Sequence, residues 1–307
     1  MKRTAFVRVL GGALLAAGVA LSMAAPASGS PATASAQRSA AELSAAQTKL
    51  DKAATSRPST VTGWYVDGAT KALVVSVHGN DQGVAKWASG LGAGAVKIEH
   101  VAQAPTPLWN LIGGQAITTS SGSRCSLGFN ARSSSGARYV ITAGHCTNLG
   151  GTWSGSGGTI GTVSGSSFPT NDFGAIGVSS ASAASTPLVD RYSAGSDVTV
   201  TGPVTASNGM GVCRSGSTTG WHCGSVTGTN QTVCYSQGCV YQMIRTNVCA
   251  EPGDSGGSLV TNPGSGSRVQ AVGLTSGGSG NCSSGGTTYF QPITEPLSTW
   301  SLTLYTG

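Results

Sequence analysis

The chain has 307 residues, 47 of them Gly, with 9% charged residues, 39% hydrophobic residues and a formal charge of +6. That length is one or two domains. The absence of a strict Gly period excludes collagen, and so little charge beside so much apolar content argues against intrinsic disorder.

The basic balance invites a nucleic-acid or membrane partner, but its distribution does not support one. Residues 1–30 hold Lys2, Arg3 and Arg8 and no acid; residues 31–111 hold seven bases against five acids; residues 112–307 hold seven arginines, no lysine and six acids. The last segment is therefore only +1. Basic residues followed by an apolar run from Val9 to about Ala25, then small residues around Ala25–Ala27 and Ala34–Ala36, have the order of a secretory signal peptide ending at about 27–36. The product is expected to be secreted, with no membrane association after signal removal and no nucleic-acid partner.

Residues 31–111 form a cysteine-free segment. A helix is predicted from Ala40 to about Thr55, with Leu43, Ala46 and Leu50 near helical spacing. Strands Val61–Val66 and Ala72–Val77 flank Asp67-Gly68, a hairpin signal; a short helix from Gln82 to Leu91 and a strand from Val96 to Val101 complete a β-β-α-β unit. Pro105 and Pro107 mark a linker.

From Ile112 the texture changes to Gly, Ser and Thr with frequent turn signals. Short strands are predicted at Cys125–Asn130, Arg138–Thr142, Phe173–Val178, Val198–Thr201, Val240–Thr246, Ser258–Thr261 and Val269–Thr275, with helical spacing only near Pro292–Ser301. That pattern indicates an all-β barrel or sandwich, and about 196 residues suit two barrels better than one. All eight cysteines (Cys125, Cys146, Cys213, Cys223, Cys234, Cys239, Cys249, Cys282) fall here, an even count that reads as four disulfides in an exported chain. Spacing alone leaves 105 connectivities open. Without any C-x-x-C and with two histidines in the segment, no metal or cofactor is expected.

Three short sequences carry chemistry: Thr142-Ala-Gly-His-Cys146, Asn171-Asp-Phe-Gly174 and Gly253-Asp-Ser-Gly-Gly257. A serine hydroxyl is a poor nucleophile unless a base within hydrogen-bond reach is oriented by a buried carboxylate. His145 is the stronger base candidate, because His222 lies between Trp221 and Cys223; Asp172 precedes an apolar run, whereas Asp190 and Asp197 lie in turn-like surroundings. Ser255 is the candidate nucleophile, with the amides of Gly253 and Ser255 as oxyanion donors, each typically worth roughly 3 kcal/mol of transition-state stabilisation. Asp254, adjacent to Ser255, suits a structural ion pair.

Residues 112–307 resemble the chymotrypsin-fold serine proteases, in particular the secreted bacterial streptogrisin and α-lytic group. The matching strings are Arg124–Asn130, the T-A-G-H-C box, Ser167–Asp172, Arg214–Gly220, Met243–Gly257 and Gly273–Cys282. The resemblance implies an all-β fold of two six-stranded antiparallel barrels behind a small α+β pro-domain. It also implies a catalytic triad of His145, Asp172 and Ser255, disulfides Cys125–Cys146, Cys213–Cys223 and Cys249–Cys282, and a buried pair between Arg214 and Asp254. Cys234 and Cys239 are left over as an added pair, and Ser258 stands where many relatives have proline.

By the same resemblance Thr275, Ser276, Gly277 and Gly278 line the primary pocket and pair with substrate backbone. No carboxylate at its base near Asn247 and Val248 selects Lys or Arg, and no histidine at 275 selects Glu. The expected preference is a large apolar residue, Leu, Phe, Tyr or Met, before the scissile bond of protein and peptide substrates. Residues 31–111 resemble the group's pro-segment, a folding template and inhibitor released by self-cleavage between Leu111 and Ile112. A monomer is expected, with no appended module after Gly307. The contrasting class is a catalytically inactive exported binding protein on the same barrels; a lipid or ester hydrolase would more often use a G-x-S-x-G elbow.

Overall fold

The computed structural model describes residues 37–307, so the expected signal peptide lies outside the described residues. No helix among the described residues is long and apolar enough to cross a membrane. The chain divides into two compact units between Ala104 and Pro105.

In the first unit, α1 (Ala40–Lys52) starts at a capping box: the Ser39 hydroxyl accepts from the Glu42 amide while the Glu42 carboxylate accepts from the Ser39 amide. Its buried face is Leu43, Ala46 and Leu50, the predicted stripe. Strands β1 (Val61–Asp67) and β2 (Ala72–Val77) form the predicted antiparallel hairpin. Helix α2 (Val84–Gly90) then crosses over to β3 (Lys97–His100), which pairs parallel to β2. Leu50, Val75, Val77 and Val84 join one apolar core, so this small α+β unit has its own interior.

The second unit contains β4 (Trp109–Gly113), β5 (Ala116–Thr119), β6 (Arg124–Ser126), β7 (Phe129–Arg132), β8 (Arg138–Thr142), the short helix α3 (Gly144–Thr147), β9 (Thr152–Gly155), β10 (Gly158–Ser167) and β11 (Phe173–Val178). It continues through β12 (Ala183–Val189), β13 (Val198–Pro203), β14 (Gly211–Gly216), β15 (Gly220–Tyr235), β16 (Gly238–Thr246), β17 (Ser258–Thr261), β18 (Arg268–Asn281), β19 (Gly285–Pro292), α4 (Thr294–Thr299) and β20 (Thr303–Leu304). One sheet runs β20-β7-β8-β11-β10-β9-β5-β6. Its far strand β6 leads through Leu127 and Gly128 straight into β7, so the chain itself closes this barrel. In the other, β17-β14-β15-β16-β19-β18 is closed into a six-membered ring by the β17–β18 pairing. These ladders are antiparallel, while the joins β12–β4 and β13–β18 are parallel.

Two strand expectations needed revision, and the expected cleavage junction falls within a strand. The run Cys125–Asn130 is two strands, because at Gly128 the chain turns so closely against Gly256 and Leu274 that a Cβ would collide with both. The 16-residue β15 went unread because its Gly- and Thr-rich sequence lacks apolar alternation; its ladder with β16 supplies the order. The expected junction Leu111–Ile112 lies inside β4, where Leu111 is 1% exposed and its carbonyl accepts from Asn130 Nδ2 (2.8 Å) and Thr186 Oγ1 (2.7 Å).

The main core cluster draws Phe129, Ile141 and Phe173 from the first barrel and Val198, Val260, Leu274 and Ile293 from the second, so the two share one interior. Phe173 lies edge-on to Trp300 with ring centroids 5.0 Å apart. Phe173→Ala is expected to cost about 3–5 kcal/mol. The check is a lowered denaturant midpoint; an unchanged midpoint would contradict this packing.

Candidate active site

Helix α3 leaves β8 directly and carries His145; Asp172 stands one residue before β11, which pairs with β8. This neighbouring-strand arrangement brings the two side chains together. His145 Nδ1 is 2.8 Å from Asp172 Oδ2, and Asp172 Oδ1 accepts from the His145 backbone amide at 2.8 Å. Asp172 is fully buried, whereas the imidazole is partly exposed.

The second barrel completes the carboxylate's shell. Ser276 on β18 donates its hydroxyl to Asp172 Oδ2 at 2.5 Å, and Tyr235 donates to Ser276 Oγ at 3.0 Å. Burial pushes the Tyr235 phenol up, which keeps it a donor. The Ser276 side chain thus holds Asp172 as well as bordering the expected pocket. Gln291, which sequence reasoning missed, is fully buried: its Oε1 accepts from the Asp172 amide (2.6 Å) and its Nε2 donates to Glu295 (2.6 Å). Burial pushes the Glu295 carboxyl up to about 7. An isolated Gln followed by Pro292 carried no signal in one dimension.

Ser255 sits in the tight turn between Cys249 and β17. Its carbonyl accepts from the Ser126 amide at 2.7 Å, which ties the turn to the first barrel. The amides of Asp254, Gly256 and Gly257 go to Glu251, Thr275 and Asp254 carbonyls. Those of Gly253 and Ser255 find no acceptor among the described residues, which leaves two donors beside the serine. Gly253 adopts φ +99°, and a Cβ there would strike Thr218 Oγ1 and Arg124 Nη2, so no larger residue fits this turn.

Asp254 turns away from the cleft and is fully buried with Arg214, 3.4 Å from Nη1. Its oxygens also accept from the Thr218, Thr219 and Glu251 amides and the Thr219 hydroxyl. Burial opposes its charge, but the Arg214 guanidinium and these donors outweigh it and hold the carboxyl below the usual range. Arg214 further donates to Cys249 O, Gly220 O and Thr219 Oγ1. Ser258, the departure from proline, donates to Gly128 O at 2.5 Å and adds a bond between the barrels.

The disulfides are Cys125–Cys146, Cys213–Cys223, Cys234–Cys239 and Cys249–Cys282, including the leftover pair, which joins directly opposed residues of β15 and β16. A cavity of about 520 Å³ beside Ser255 is lined by Ala250, Glu251, Pro252 and Thr275–Gly280. A smaller one of about 200 Å³ lies between His145, Phe168, Tyr235 and Ser276. Two further details define this lining. The missing Cβ of Gly277 faces Tyr235 and that of Gly278 faces the backbone of β19, so both glycines serve close packing. Glu251, unremarked in the sequence, lies on the larger cavity's lining with Oε1 accepting from the Cys282 amide.

Residues 38–95 match the α-lytic protease prodomain family and residues 111–300 the trypsin family. The chain belongs to the trypsin family of serine endopeptidases. It is 47% identical to streptogrisin-A of Streptomyces griseus over 248 residues, 79% of this chain and 78% of that one. It is 44% identical to streptogrisin-C of the same organism over 261 residues, 84% of this chain but only 55% of that longer protein. Among solved structures, the Nocardiopsis protease superposes with a TM-score of 0.59 at 48% identity, covering 64% of this chain and all of the other. Family membership therefore spans both the pro-segment and the protease unit.

Gln291→Ala removes the acceptor for the Asp172 amide, and is expected to lower kcat by about tenfold with little change in KM, the equivalent of about 1.4 kcal/mol. Equal kcat values would show that Gln291 serves packing alone. For the Asp254 pair, the folded carboxyl lies below its unfolded value, so its stabilisation is present above the ordinary carboxylate range and is lost as pH falls through the folded value. Arg214→Met is expected to cost about 3–5 kcal/mol near neutral pH by stranding a buried charge, and to depress turnover. Thermal melts across pH, with wild-type turnover and stability retained in the variant as the contrary result, test it.

Proposed function

We propose that the chain is the precursor of a secreted serine endopeptidase in which His145, Asp172 and Ser255 act as a triad. Asp172 fixes the imidazole so that its outer nitrogen faces the cleft; His145 takes the Ser255 hydroxyl proton as the oxygen attacks the substrate carbonyl. The oxyanion is received by the amides of Gly253 and Ser255, whose lack of other acceptors among the described residues supports this role. His145 then returns the proton to the leaving amine, and water, deprotonated by the same base, releases the acyl-enzyme. The observation that carries this reading is the buried Asp172 carboxylate paired with His145 and Ser276 beside the Ser255 turn.

Substrate would add as a strand to β18. The β17 ladder leaves β18 at Leu274, so the edge from Ser276 onward is free of strand partners among the described residues. The cavity at Thr275–Gly280 suits a large apolar side chain, Leu, Phe, Tyr or Met, and Glu251 on its lining opposes an acidic one. Four disulfides fit life outside the cell. The pro-segment acts as folding template and inhibitor. A two-barrel β protein has mainly non-local contacts and folds slowly, so a self-folding helper is physically sensible.

Ser255→Ala is expected to reduce casein hydrolysis by at least about 10⁴-fold and to accumulate unprocessed precursor. If the variant matures normally without added protease and neither form hydrolyses casein, the inactive binding-protein reading holds instead. In a peptide library, cleavage dominated by Arg, Lys or Glu at the first position would refute the apolar preference.

A further inference from the structure

We propose that the precursor is cut between Leu108 and Trp109, three residues before the junction that the sequence suggests. The proposal rests on the protease reading and adds to it the site on which that activity acts within its own chain.

A protease needs several residues before the scissile bond in extended, unpaired form to lay along the free strand edge of its cleft. Leu111 and Ile112 do not offer this: they belong to β4, whose Trp109, Asn110, Leu111 and Gly113 pair with Ala183, Ala184, Ser185 and Val189 of β12. A cut after Leu111 would also strip Trp109, Asn110 and Leu111 from the protease. Leu111 is 1% exposed in the first barrel's core cluster, against which the Trp109 ring packs. Residues 102–108, by contrast, are all exposed and free of regular structure.

Within that run, Ala-Gln-Ala-Pro-Thr-Pro-Leu, the only large apolar residue is Leu108, which is 84% exposed. It is the most exposed of the molecule's large hydrophobic side chains among the described residues. It matches the side chain that the cavity at Thr275–Gly280 would take.

The two prolines add an independent constraint. Along a strand, alternate residues direct their N–H groups to the same neighbour. Pro105 and Pro107 share one parity, and Thr106 and Leu108 the other. A segment laid against the free edge of β18 with Leu108 first would use the N–H groups of Leu108 and Thr106, so the two missing donors face away from the ladder, where proline is tolerated. With Leu111 as the first residue, Trp109 and Leu111 would have to leave their places beside β12.

Hydrolysis breaks the bond between the Leu108 carbonyl carbon and the Trp109 nitrogen. Water supplies the hydroxyl that completes the Leu108 carboxyl group and a proton for the Trp109 amine. The new terminus already has a partner: the Trp109 nitrogen donates to Ser182 O at 3.0 Å, and as an ammonium it keeps that acceptor. The strand therefore stays seated after the cut.

Amino-terminal sequencing of the wild-type secreted protease tests this directly. The expected first residue is Trp109; a protein beginning at Ile112, or at any other residue, overturns the proposal while leaving casein hydrolysis, and so the protease reading, intact. Leu108→Asp is expected to slow appearance of the mature form at least tenfold, and enzyme once matured should cleave peptides at the wild-type rate. Processing of this variant at an unchanged rate would also overturn it. A third measurement is independent of the chain's own activity. The full-length Ser255→Ala precursor, given a trace of chymotrypsin, should be cut after Leu108 while Leu111–Ile112 stays whole. Cleavage after Leu111 with Leu108 spared is the opposing result, and loss of casein hydrolysis in the wild type would count against the protease reading alone.

Discussion

Everything in the cleft depends on satisfying one carboxylate where water cannot reach it. An unpaired buried charge is prohibitively costly, so Asp172 must be met by donors on every side. The first barrel contributes the His145 amide and imidazole, and the second contributes the Ser276 hydroxyl from β18. Gln291 takes the Asp172 amide. Neither barrel alone can satisfy the group. The requirement that makes Asp172 buried therefore also makes the barrels dock, and their shared interior around Phe173 and Leu274 supplies the apolar driving force for that docking.

A second buried charge organises the other half of the site. Asp254 faces away from the cleft into Arg214 and four further donors, and the amides on either side of it, at Gly253 and Ser255, have no acceptor among the described residues. The turn is braced from outside as well: Ser126 donates its amide to Ser255 O and its hydroxyl to Gly253 O, and Ser258 donates to Gly128 O. Two inward-facing acids thus set the positions of the His145 imidazole and of the Ser255 turn, each with backbone donors among its partners.

Composition follows from the same arrangement. With seven arginines, six acids and no lysine after residue 111, the protease segment spends several of its few charges internally, at Arg214, Asp254 and Asp172. The net charge of +6 belongs mainly to residues that precede it. Glycine is abundant because close approaches such as Gly128 against Gly256, and Gly277 against Tyr235, leave no room for a Cβ.

The sequence by itself determined what is local. The α1 stripe, the hairpin at Asp67, strands β8, β11 and β17, and the residue types at 145, 172 and 255 are legible because period, turn chemistry and short motifs are carried by neighbouring residues. Strand β15 was not legible, because its order comes from the ladder with β16 and not from an apolar pattern. Gln291 and Glu251 were not, because each matters only through what it touches across the fold. The position of Leu111 was decided only by tertiary structure: its family-like setting suggested an end, whereas pairing with β12 and burial in the barrel make it an interior residue. Motifs name the groups that can do chemistry; which of them are buried, paired or free is set by contacts that no stretch of sequence contains.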